Sequence, residues 1–119
     1  MSEHYHNHDG WIGVDLDGTL AHYNNFEGAL MIGAPVEKMV KRVKEWLKQG
    51  IEVRILTARI SHPDSDHEAV TQAIHQWCIL HIGKQLRITC KKDYKMIELW
   101  DDRAVQVIPN TGKRADGKE

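Results

Sequence analysis

Two aspartates one residue apart, at the seam between an apolar run and a Gly-Thr turn, constrain this chain more than any other feature. Trp11-Ile12-Gly13-Val14 leads directly into Asp15-Leu16-Asp17-Gly18-Thr19-Leu20. A short apolar run bounded by turn residues reads as a buried strand. In a parallel sheet, ligands bind beyond the carboxyl ends of the strands, so both acids are expected at a ligand-binding edge. Two like charges this close are expensive to bury unless a cation or a proton compensates them. A divalent ion does so, and hard carboxylate oxygens suit Mg²⁺. An isolated Asp-x-Asp is more often an acidic surface turn, so the pattern has weight only if other parts of the chain answer it.

The periodicity places such parts. Val36, Met39, Val40, Val43, Trp46 and Leu47 form a helical stripe with charges on the opposite face; Pro35 opens this helix and Gly50 stops it. Ile51 to Leu56 reads as a second strand, followed by a polar loop from Ser61 to Asp66. Ser65 and Glu68 have capping-box spacing, and Val70, Ala73, Ile74, Trp77 and His81 form the next stripe, ended by Gly83. Leu86 to Thr89, Ile97 to Trp100 and Ala104 to Ile108 are short strand candidates. Strands alternating with helices predict an α/β fold: a three-layer, Rossmann-like, mostly parallel sheet flanked by helices. One connection fits poorly. Only Cys90 to Met96 separates the third strand from the fourth, whereas a parallel crossover usually takes a dozen or more residues. Either a helix there is reduced to one turn or a strand is misplaced.

The chain is 119 residues long, enough for one domain with a real core. We divide it into a His-rich N-terminal tail (1–10), a single domain (11–109) and a C-terminal tail (110–119). Both tails are expected to be mobile; His4, His6 and His8 could capture a metal, but termini without apolar anchors usually fray. A net charge of −1 argues against a general nucleic-acid or membrane-surface binder. No apolar run reaches membrane-spanning length and the N-terminus is polar, so neither a span nor a signal peptide is expected. Cys78 and Cys90 are isolated and fit free thiols in a reducing compartment, with cytoplasm as the default.

Further along, Val53-Arg54-Ile55-Leu56 ends in Thr57-Ala58-Arg59, Lys91-Lys92-Asp93 follows the third strand, and Trp100-Asp101-Asp102-Arg103 closes the fourth. The order Asp-x-Asp, Thr, Lys, Asp-Asp, each at or just after a strand end, resembles the four motifs of the haloacid dehalogenase (HAD) superfamily over residues 12–107. The resemblance implies a HAD-type fold and a Mg²⁺-dependent phosphatase working through an aspartyl-phosphate. By that match Asp15 is the nucleophile. Asp17 is the general acid/base, with its main-chain carbonyl on Mg²⁺, and must carry a proton for part of the cycle. Thr57 and the Ala58 N–H hold a phosphoryl oxygen; without the other motifs Thr57 would read as a plain turn cap. Lys92 is the motif-three cation and phosphate ligand, with Lys91, Lys95 and Lys84 as competitors. Asp101 is a direct Mg²⁺ ligand, and Asp102 reaches the ion through a water or supports its ligands from behind. The motif departs from the family pattern in having Trp100 before the acids and no acid after them.

Arg59 could fork onto a phosphate or a substrate carboxylate, or be an ordinary surface arginine. The gaps from Leu20 to Pro35 and from Ile60 to Lys92 are too short for a cap domain. The resemblance is therefore to a capless member. Its open site takes a small phosphorylated metabolite or a bulky phosphorylated substrate, or is covered by a second copy in a homo-oligomer. His22, Tyr23, Asn24, Asn25 and Phe26 sit where a flap would contact substrate, though a solvated loop fits equally. Trp46 and Trp77 belong to the core, while Trp100 is either core or pocket wall. Two non-catalytic readings compete. A signalling receiver domain uses the same residue types in a different order, with the acidic pair first. A phospho-ligand-binding protein would keep the fold without turnover.

Overall fold

The computed structural model describes residues 9–63 and 66–119. The His4-His6-His8 segment and Ser65 of the expected capping box lie outside the described residues. The elements run β1 (Trp11–Asp15), α1 (Glu37–Lys48), β2 (Glu52–Leu56), a 3-10 turn (Ala58–Ser61), α2 (His67–His81), β3 (Arg87–Thr89) and β4 (Met96–Trp100). The four described strands form one parallel sheet in the order β3-β2-β1-β4. This is the Rossmann-like α/β arrangement of parallel strands flanked by helices.

Successive residues Trp11 to Val14 of β1 are buried, so both faces of this central strand are covered and its sequence is continuously apolar instead of alternating. β2 does alternate: Val53 and Ile55 are buried, while Arg54 faces the other way. The first of those faces receives both helices. The chain steps from β1 to β2 to β3 in one direction, and right-handed crossovers then put both connecting helices on the same side. Met39, Val40, Val43 and Trp46 of α1 and Val70, Ile74, Trp77 and Cys78 of α2 form one cluster with Ile12, Val14, Val53 and Ile55. Burying each such aliphatic chain contributes about 1.5–3 kcal/mol, and Ile74→Ala would cost about 2–5 kcal/mol through the cavity it leaves.

The opposite face explains the short connection. β3 and β4 are both real strands, but they occupy opposite edges of the sheet. Residues 90–95 therefore pass across the sheet without a helix. Three strand spacings are about 14 Å, within the roughly 20 Å reach of an extended six-residue segment. Asp93 fastens the crossing. It accepts hydrogen bonds from Trp11 Nε1 (2.8 Å), Arg54 Nη1 (3.2 Å) and the Lys95 N–H (2.9 Å). Arg54 lies 4.4 Å from the Trp11 ring centroid. The Trp11 ring in turn reaches over Gly13, where a β-carbon would come within 3.0 Å of it.

Two sequence expectations, the start of α1 and the strand at 104–108, are corrected. α1 begins at Glu37, not at Pro35, because Pro35 bridges Ala21 and the Val36 N–H donates to Leu20 O. α2 is capped by Asp66, whose carboxylate accepts the Ala69 N–H at 3.1 Å. Ala104 to Ile108 is not a strand: it leaves the sheet after β4, and Val107 pairs only locally with Arg114. Residues 106–115 fold back on themselves through Ile108 N–H to Lys113 O and Ala115 N–H to Gln106 O, both 2.8 Å. Trp100 proves to be core edge, its ring centroid 5.2 Å from that of Trp46 and tilted 59° to it. No helix among the described residues is long and apolar enough to cross a membrane.

Candidate active site

The sheet register assembles the site. Val14 pairs with Trp100 and Asp15 with Leu56, so the residues that follow, Asp101 and Thr57, flank Asp15 at the carboxyl edge. Beyond Asp15 the chain makes a tight turn, closed by Leu20 N–H to Asp15 O (3.2 Å) and Ala21 N–H to Leu16 O (2.8 Å). Leu16 and Leu20 anchor this turn in the core. Gly18 is required in it: its φ is +89°, and a β-carbon there would fall 2.3 Å from Asp102 Oδ2.

Asp15, Asp101 and Asp102 each offer a carboxylate oxygen, and these oxygens lie within 4.8 Å of one another. Burial pushes the Asp15 carboxyl up to about 7. A hydrogen bond with Asp102 and the charges of Asp101, Asp102 and Asp17 add to the shift. A hydrogen bond between two carboxyls needs a proton on one of them. The triad thus lacks positive charge, and three convergent hard oxygens fit Mg²⁺. Asp102 touches Asp15 and lines the cavity, whereas Asp101 also accepts the Arg103 N–H at 2.7 Å. The expected division, with Asp101 direct and Asp102 indirect, does not follow from this placement, since both reach the triad.

Asp17 stands apart from that triad. Its side chain is forked by Arg59, Nε to Oδ2 at 2.7 Å and Nη2 to Oδ1 at 2.9 Å. Arg59 is only 8% exposed, so it is neither a surface arginine nor the free substrate fork considered from sequence. Its remaining donors reach the carbonyls of Gly28 (3.3 Å), Ala29 (2.8 Å) and Met31 (2.9 Å). Thr57 Oγ1 is buried and accepts the Arg59 N–H at 3.1 Å, a turn cap that leaves the hydroxyl proton to donate.

A cavity of about 490 Å³ opens over these groups. Asp15, Asp17, Thr57, Ala58, Arg59 and Asp102 line its floor, with Tyr23, Phe26, Ala29, His62 and Arg103 around them. His22 is not in this lining; it belongs with Asn24 and Asn25 to an adjacent recess. Lys92 is exposed and outside the lining, because the chain after Thr89 turns away toward Asp93 and the far face. Strand-end order therefore misplaced the lysine. His62 and Arg103 were missed as wall residues. Arg103 adjoins the acidic pair, which was the available signal; nothing local marked His62.

No family model and no curated protein matches the chain. Among solved structures, a conserved protein from Bacteroides thetaiotaomicron is similar with a TM-score of 0.56 and 21% identity, covering 85% of this chain and 82% of its own. At that identity the likeness shows the fold alone: a Rossmann-like α/β protein with a parallel sheet.

Proposed function

We propose that this chain is a Mg²⁺-dependent phosphohydrolase of the HAD type that cleaves a phosphate monoester through an aspartyl-phosphate on Asp15. The observation that carries the reading is the meeting of Asp15, Asp101 and Asp102 at one point of the sheet edge, beside Asp17 and Thr57. Asp15, Asp101 and Asp102 would hold Mg²⁺, which supplies positive charge against the phosphoryl oxygens. Asp15 Oδ attacks phosphorus, the ester P–O bond breaks, and the leaving oxygen takes a proton from Asp17. Asp17 then takes a proton from the water that attacks the acyl phosphate, releasing phosphate and regenerating Asp15. The Arg59 fork occupies one lone pair on each Asp17 oxygen, and each keeps another for this proton. Thr57 O–H is available to a phosphoryl oxygen. The open cavity accommodates a small metabolite or the phosphorylated end of a larger molecule.

A phospho-ligand-binding protein without turnover is the second reading, favoured by one observation: Lys92 lies outside the cavity. A panel of nucleotides, sugar phosphates, phosphopeptides and p-nitrophenyl phosphate, assayed with Mg²⁺ and with EDTA, separates them. Turnover lost in EDTA is expected; phosphate-ester binding with no release of phosphate from any panel member would leave only the second reading.

A further inference from the structure

We propose that Arg59 is a positioning residue that fastens the leaving-group acid Asp17 and the cavity wall 28–31 into one unit. This rests on the phosphohydrolase reading for the role of Asp17, but the fastening itself rests on geometry alone. A guanidinium carries five N–H donors. Nε goes to Asp17, Nη2 to Asp17 and Met31 O, and Nη1 to Ala29 O and Gly28 O, all at 2.7–3.3 Å. Every donor is committed, so Arg59 has none left for a phosphate unless one of these bonds breaks.

Among the described residues, the side-chain hydrogen bonds that reach the carbonyls of this wall at 28, 29 and 31 come from Arg59. Apolar burial holds the loop only in part: Ala29 and Ile32 pack against the core, whereas Leu30 is 57% exposed, Met31 58% and Phe26 64%. The base of the loop is secured separately, by His22 N–H to Ala34 O (2.8 Å) and by Trp77 Nε1 to Gly33 O (2.9 Å). The tip from Gly28 to Met31 closes on itself through Met31 N–H to Gly28 O (3.1 Å) and is tied to the sheet edge through Arg59, which is held by Asp17 and the Thr57 cap. A planar fork imposes direction on a carboxylate, which a lysine cannot reproduce. Asp17 is thereby aimed, and the wall is set at a fixed distance from it.

The test uses Arg59→Lys in the full chain, with two readouts. The first is amide hydrogen exchange. Exchange across 28–31 is expected to speed up while β1 and β2 stay protected; unchanged exchange at the tip overturns the fastening. The second is leaving-group dependence. In kcat/KM, which reads the steps up to ester cleavage and not the later attack of water, misaiming the acid is expected to cost an alkyl phosphate about 10²-fold or more and p-nitrophenyl phosphate, whose leaving group departs without a proton, less than about tenfold. Equal losses of kcat/KM on both esters, or a raised KM with unchanged kcat, would overturn the positioning role. Should Arg59→Lys fail to fold, Asp17→Asn removes the charge of the fork and keeps its shape. Faster exchange at 28–31 is then expected, and no change overturns the coupling. If the unaltered protein turns over neither ester, the phosphohydrolase reading fails while hydrogen exchange still decides the fastening.

Discussion

Asp15 and Asp93 are two carboxylates of one small sheet, and they are treated in opposite ways. Asp93 sits on the crossing segment and has three donors: the Trp11 indole, Arg54 and a backbone N–H. The Trp11 hydrogen bond, more than any other cause, holds its carboxyl below the usual carboxylate range. Asp15 sits at the carboxyl edge among other acids, and its carboxyl is pushed up to about 7. A carboxylate given its donors by the fold is a structural latch. One left among like charges stores an unmet demand for a cation, and perturbed groups of that kind cluster at functional sites.

The contrast breaks most sharply in activity. Asp15→Asn is expected to abolish phosphate release by at least about 10⁴-fold, as loss of a nucleophile does, while Asp93→Asn stays near the unaltered rate in a steady-state assay. Full activity in Asp15→Asn would remove the nucleophile assignment.

Gly18→Ala comes next. Its β-carbon would collide with Asp102, and the positive φ costs about 1–3 kcal/mol. Displacing Asp102 is expected to weaken Mg²⁺ binding by about 10–100-fold, read by calorimetric titration. Affinity equal to that of the unaltered protein would show that Asp102 does not bind the ion.

Thermal melts against pH give effects of opposite sign. Because the folded Asp15 carboxyl titrates near 7 and its ordinary value is 3.8, the native state binds the extra proton between those limits. Its stabilisation is full below about 4 and is lost as pH rises through about 7. The metal-free protein should therefore lose stability relative to Asp15→Asn over that interval. Mg²⁺ at a hundred times its Kd adds about 2.7 kcal/mol, a rise of roughly 10 °C in Tm. That rise should be larger at pH 7.5 than at pH 5, where protons compete. Equal rises at both pH values would place the ion elsewhere.

The smallest effect belongs to Asp93. Its carboxyl is depressed, so its contribution is present above the ordinary value and is lost as pH falls through the folded one. Asp93→Asn is expected to lower Tm by a few degrees at neutral pH and to converge with the unaltered protein in acid. A difference that persists in acid would assign the latch to shape instead of charge.

Much of this was legible in the residues. The continuous apolar run of β1 announced a central strand, and the stripe from Val36 to Leu47 announced a helix, because burial writes itself into hydropathy at fixed periods. The acids at the ends of β1 and β4 were legible for the same reason: a strand end fixes where the next residue goes. Lys92 and the strand expected at 104–108 were not. Lys92 lies in a segment whose path depends on distant partners, Asp93 on Trp11 and Arg54, while 104–108 has the composition of a strand but leaves the sheet after β4 and pairs only locally, Val107 with Arg114.

By itself, then, the sequence determined the strand-helix alternation and the residue types brought to the carboxyl edge, since both follow from local periodicity and chain direction. Only the tertiary structure decided which charges are satisfied. It gave Asp93 its donors, spent every donor of Arg59 on Asp17 and the wall, and left Asp15 with acids for company. The balance of a charge depends on neighbours 42 or 82 positions away in the chain, and no local pattern encodes that distance.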